Sequence, residues 1–163
     1  MVRPRVSCSV AGMTEQGGLA RLEPFVGDWE MEVAFGGAPP VAGARTTFEL
    51  TPGERLLVQR WHVPVPEAPD GLAVYAYDDR RGALLQHYFD ERGVVRVYEM
   101  AFEGRAWSLE RTTEDFSPLD FSQRFTAEFS EDWDTITGTW EIAHDHRSYE
   151  KDFDITYRKF SGS

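Results

Sequence analysis

His87 and Glu99 are of the types that general acid/base chemistry requires. An imidazole titrates near neutrality, and a nearby carboxylate can orient it or, when burial raises its pKa, act as the acid itself. Arg111 adds a permanent cation one layer away. Gln59, between Leu57 and Trp61, and Gln123, between Phe121 and Phe125, are amides in otherwise apolar alternations, and they read as hydrogen bonders lining a pocket. Nucleophilic chemistry finds little support, because Cys8 is the sole cysteine and no G-x-S-x-G occurs. With no phosphate loop or dinucleotide fingerprint either, an enzyme built on this chain is expected to be cofactor-free. No metal site is expected: Glu150, Asp152 and Asp154 alternate with Lys151, Phe153 and Ile155, the pattern of a solvated strand face.

The elements that must position these residues are strands. Trp29, Met31, Val33 and Phe35 alternate against Asp28, Glu30, Glu32 and Ala34, and similar segments follow at about 43–51, 55–63, 71–78, 83–90, 94–102, 106–112, 121–130, 134–143 and 149–159. Gly/Pro/Asp-rich turns separate them. Ahead of the first strand, Leu19, Leu22, Phe25 and Val26 fall at helical spacing, and Pro24 limits the segment to a short helix. The reading is an all-β, antiparallel up-and-down barrel of about ten strands, because a meander of that length exposes edges unless it closes on itself. A β-sandwich is the rival, but it usually needs Greek-key crossovers, and the connections near 36–43, 64–70 and 113–120 are short for that.

Turn chemistry sets the inward face. Gly93, third in the loop after Asp90, suits a type I turn with a G1 bulge and pairs Phe89 with Val95, His87 with Val97 and Leu85 with Glu99. Reading Gly104 the same way places Trp107 opposite Glu99 and Arg111 opposite Val95. The expected inner wall is then Leu85, His87, Phe89, Val95, Val97, Glu99, Trp107, Leu109 and Arg111, with His87 and Glu99 as diagonal neighbours about 7–8 Å apart at Cβ. A two-residue turn at either hairpin reverses the parity and brings Tyr88, Arg96 and Tyr98 inside instead. The plainer reading of His87 and Glu99, exposed groups or a structural pair, stands beside the catalytic one.

A formal net charge of −11 over 163 residues, with no Lys/Arg cluster, argues against nucleic-acid and anionic-membrane partners. Five Trp, eleven Phe and six Tyr suit strands and an apolar interior. No secretory or membrane-spanning segment is evident, and the expectation is a cytoplasmic protein with a flexible leader at 1–18, within which Met13 offers an alternative start, and a barrel at 19–160. Two copies could pair through an outer face such as that of 121–130, giving a homodimer.

Three short motifs carry a resemblance: Gly27-Asp28-Trp29 after the short helix, the segment His87 to Gly93 (H-Y-F-D-x-R-G), and Gly138-Thr139-Trp140-Glu141. Over 19–160 the chain resembles bacterial lipocalin-like (calycin) barrel proteins of unknown function. The resemblance implies that Trp29 plugs a closed end and that the interior binds a small hydrophobic metabolite. Gln59, Trp61, Phe89, Trp107, Arg111, Gln123 and Trp140 are the expected ligand contacts, and His87 and Glu99 the candidate acid/base pair of a cyclase or isomerase. The chain is also distantly similar to haem-binding nitrobindins, whose axial histidine lies near the C-terminus. Here the last strand has no histidine, and His144 and His146 fall in the turn before it.

Overall fold

Alternation becomes pairing in the computed structural model, which describes residues 19–161. Residues 1–18, read above as a leader, lie outside the described residues. The strands are β1 (Gly27–Phe35), β2 (Val41–Leu50), β3 (Leu57–His62), β4 (Gly71–Asp78), β5 (Ala83–Asp90), β6 (Val95–Glu103), β7 (Ala106–Arg111), β8 (Ser122–Phe129), β9 (Thr135–Ala143) and β10 (Glu150–Lys159). Each pairs antiparallel with the next, and β10 returns to β1 along a seam running from Trp29↔Lys159 to Phe35↔Phe153. The result is the closed ten-stranded barrel that the strand count called for, with no free sheet edge.

The short helix is reduced to a 3-10 turn at Glu23–Phe25. Its hydrogen bonds all span three residues: Leu22 N–H to Leu19 O, Phe25 N–H to Leu22 O and Val26 N–H to Glu23 O. Pro24 has no N–H to give to a longer-range bond, and Gly27 opens β1 before another turn can form. The segment nevertheless stoppers one end of the barrel. Phe25 packs against Phe48, Phe102, Trp107 and Phe129, with ring centroids 4.9–5.5 Å apart. Trp29 is fully buried, its indole N–H donates to Phe25 O at 2.7 Å, and the Lys159 ammonium lies 5.1 Å from its ring.

The opposite end is the open one, and the chain's long connections gather there. Residues 36–40, 63–70, 91–94, 112–121 and 144–149 link strands at this end, whereas the closed end has only 51–56, 79–82, 104–105 and 130–134. Such a division gathers the longer connections around one end of a rigid wall.

The hairpin register is half as expected. Between β5 and β6 the three-residue connection with Gly93 at φ +79° forms, and Phe89, His87 and Leu85 pair with Val95, Val97 and Glu99. Between β6 and β7 the turn is a two-residue one, Gly104-Arg105, with Gly104 at φ +59° in the first position that a type II′ turn reserves for glycine. Trp107 therefore faces Phe102 rather than Glu99, and Leu109 faces Met100. This corrects the inner wall. Trp107, Leu109 and Arg111 point inward, and on β5 and β6 their inward partners are Leu84, Gln86, Tyr88, Asp90, Arg96, Tyr98, Met100 and Phe102. Leu85, His87, Phe89, Val95, Val97 and Glu99 lie on the outside.

Candidate functional site

Aromatic residues from six strands meet at the open end. Trp61 of β3 stacks on Tyr88 of β5 at 5.3 Å, Tyr88 lies 6.4 Å from Tyr98 of β6, and Tyr98 meets Trp140 of β9 edge-on at 5.5 Å. Trp140 in turn stacks between Phe125 of β8 at 5.0 Å and Phe153 of β10 at 6.3 Å. Trp61, Tyr88, Trp140 and Phe153 are inward-facing yet only half-buried, which marks the mouth as accessible. Gly138 makes room for this arrangement. A Cβ there would stand 2.5 Å from two atoms of the Phe125 ring, so only glycine lets Phe125 lie flat beneath Trp140.

Below the rim the aromatics give way to polar groups. The Tyr75 hydroxyl donates to Gln59 Oε1 and accepts from Gln86 Nε2, both at 2.7 Å, while Gln86 Oε1 is buried without a partner. On the adjoining wall Tyr98 donates its hydroxyl to Gln123 Oε1 at 2.7 Å, and Arg96 Nη1 donates to the same oxygen at 3.2 Å. Arg96 Nε is buried and unpartnered. At the rim, Asp90 accepts from the Tyr88 hydroxyl and from Arg92 Nη2, each at 2.7 Å. Burial works against the Asp90 charge, but the bonds from Arg92 and Tyr88 outweigh it and hold the carboxyl below its ordinary range. Burial pushes the phenols of Tyr75, Tyr88 and Tyr98 up, so all three are neutral donors at physiological pH.

Arg111 has a different task. Its Nε and Nη2 bond Asp115 at 2.7 and 2.9 Å, and Nη2 also reaches Ser117 O and Pro118 O. Asp115 additionally accepts from the Val97 and Ser117 amides. The pair therefore pins the β7–β8 connection against the free stretch of β6. Burial opposes the Asp115 charge, yet Arg111 and the two amides hold its pKa at about 2.

Of the residues singled out by sequence, Gln59, Trp61, Trp107, Arg111, Gln123 and Trp140 lie on the inner face, although Trp107 belongs to the closed end. Phe89, expected as a ligand contact, is on the outer face and 38% exposed. His87 and Glu99, expected inside, line an outer groove of about 850 Å³ with Glu110, Leu85, Val97 and Phe116. Tyr88, Arg96 and Tyr98, the inward set of the alternative register with a two-residue turn, are the ones the structure places inside. Tyr75 and Gln86 were not singled out.

All four histidines are outside the inner face. His62 bonds Asp70 at 2.6 Å, His87 lines the groove, His144 lies edge-on to Phe121, and His146 Nδ1 is 2.9 Å from Ser122 Oγ. The inner wall thus offers no imidazole to a haem iron, and the residues present do not fit that group. Among the described residues no cluster of three or more His, Cys, Asp or Glu is placed to hold a metal ion, and no helix is long and apolar enough to cross a membrane.

The arrangement defines a closed barrel with one stoppered end and one aromatic, partly polar mouth. Among solved structures, the crystal structure of Rv2717c from M. tuberculosis is similar, with a TM-score of 0.57 over 87% of this chain and 96% of that chain. At 12% identity the likeness is one of fold. No family model matches the chain, and no curated protein does.

Proposed function

We propose that the open mouth binds a small, predominantly apolar organic molecule. The observation that supports this best is that two of the three buried, unpartnered side-chain polar atoms among the described residues, Gln86 Oε1 and Arg96 Nε, lie beneath half-exposed aromatic rings, the third, Trp107 Nε1, being at the closed end. Buried polar groups are nearly always satisfied in folded proteins, so orphans beneath half-exposed aromatic rings point to a ligand's polar atoms as their missing partners. Nothing on the inner wall has the character of a base near neutrality, which favours binding over proton transfer in the mouth. A second reading rests on the outer groove, where His87 and Glu99 flank an open volume of about 850 Å³; acid/base chemistry on a substrate bound there is the alternative.

Native mass spectrometry and an absorbance scan of freshly purified protein distinguish the two. A retained small molecule should be lost on Gln86→Leu or Trp140→Ala and kept on His87→Ala or Glu99→Gln. The reverse pattern would move the site to the groove.

A further inference from the structure

We infer that the molecule held in the mouth carries a carboxylate that pairs with Arg96, an inference that rests on the mouth being the binding site. The chain has 28 acidic and 17 basic residues, so its guanidinium groups have an excess of carboxylates to choose from. Arg60, Arg81, Arg92, Arg105, Arg111, Arg124 and Arg158 each have one within 4.0 Å.

Arg96 differs from these: it is half-buried, its Nε is buried without a partner, and among the described residues no ion pair to it is found. Its contacts are the neutral oxygen of Gln123, which Tyr98 already shares, and the face of the Phe121 ring at 5.2 Å. Asp90 and Asp115, two of the carboxylates at this end, are committed elsewhere. Asp90 is held by Tyr88 and Arg92, and Asp115 by Arg111 and two backbone amides. A guanidinium cannot shed its charge, and taking it from water without a counter-charge is costly.

A ligand carboxylate removes that cost. It would accept from the unpartnered Nε–H and from the rest of the fork, the geometry in which arginine recognises carboxylates best. The Tyr98 hydroxyl stands beside it as a neutral donor. With the acid at Arg96, the apolar body lies against Trp140 and Tyr88.

A matched pair of probes tests this: 2-naphthoate and 2-naphthamide, which share a ring and differ in charge, titrated at pH 7.5 by tryptophan fluorescence and calorimetry. The wild type should bind the acid about tenfold more tightly than the amide, as a charge-assisted bond requires. Arg96→Gln should erase that preference, and Arg96→Lys should restore part of it. The wild-type comparison needs no variant, so it holds even if a substitution unfolds the barrel. Equal binding of acid and amide, or a preference that survives Arg96→Gln, would overturn the carboxylate inference and leave the mouth standing. Failure of both probes to bind would take the mouth reading down with it.

Discussion

Tyr75 shows how much one hydroxyl can hold in a barrel interior. It bridges Gln59 and Gln86, donating to one and accepting from the other, and all three are buried. Tyr75→Phe leaves the bulk of the ring in place but strands a carbonyl and an amide donor, and should cost about 1–3 kcal/mol in urea unfolding. Asp115 gives a pH-dependent counterpart. Its carboxyl titrates at about 2 against an ordinary 3.8. A folded pKa below the unfolded one means that the stabilisation is complete above the unfolded value and disappears as pH falls through the folded one. The stability difference between wild type and Asp115→Asn, measured by urea unfolding, should therefore shrink by about 2 kcal/mol on going from pH 5.5 to pH 2. A difference independent of pH would mean that Asp115 acts only as a neutral hydrogen-bond acceptor.

Among the elements, β9 explains a motif in physical terms. In Gly138-Thr139-Trp140-Glu141 the glycine seats Phe125, the tryptophan stacks on that ring, and Glu141 turns outward to bond Arg124 at 2.6 Å. Gly138→Ala forces Phe125 and Ala127 aside and should lose about 1–3 kcal/mol by thermal unfolding, with a changed near-ultraviolet dichroism as the Phe125–Trp140 stack is displaced. The ten strands were legible in sequence because period-two alternation and turn residues recur along the chain, and the Gly93 turn fixed the β5–β6 register. Which face of β5 and β6 points inward was not legible. Toward the mouth, between residues 85 and 98, the outer residues Leu85, His87, Phe89, Val95 and Val97 are more apolar than the inner Gln86, Tyr88, Asp90, Arg96 and Tyr98. The physical reason lies in the β7–β8 connection. Asp115 and Ser117 bond the backbone of Val97 and Val95, and residues 112–116 flank the groove lined by Leu85, His87 and Val97, so this outer stretch is itself partly covered. Binary patterning identifies the buried face only where the other one is wet, and here neither face is fully wet.

At the scale of the whole molecule the two ends differ in packing. The closed end is a contiguous aromatic cluster in which Phe25 touches rings from β2, β6, β7 and β8, and Lys159 of β10 reaches back to Pro24 O at 3.3 Å. The stopper thus joins the first and last strands that the chain must bring together to close the barrel. Phe25→Ala leaves a cavity that this rigid ring of strands can collapse into only partly, and should cost about 3–5 kcal/mol. At the mouth, Trp140 is only half-buried, so Trp140→Ala should cost less stability but weaken naphthoate binding at least fivefold, since it removes the ring on which the ligand would rest. Thermal unfolding and a naphthoate titration on both variants read the two effects separately. Phe25→Ala should lower the melting temperature by more than Trp140→Ala while keeping wild-type affinity at temperatures where it is folded. A loss of affinity in Phe25→Ala as large as that in Trp140→Ala would show that the stopper and the mouth are coupled through the barrel wall.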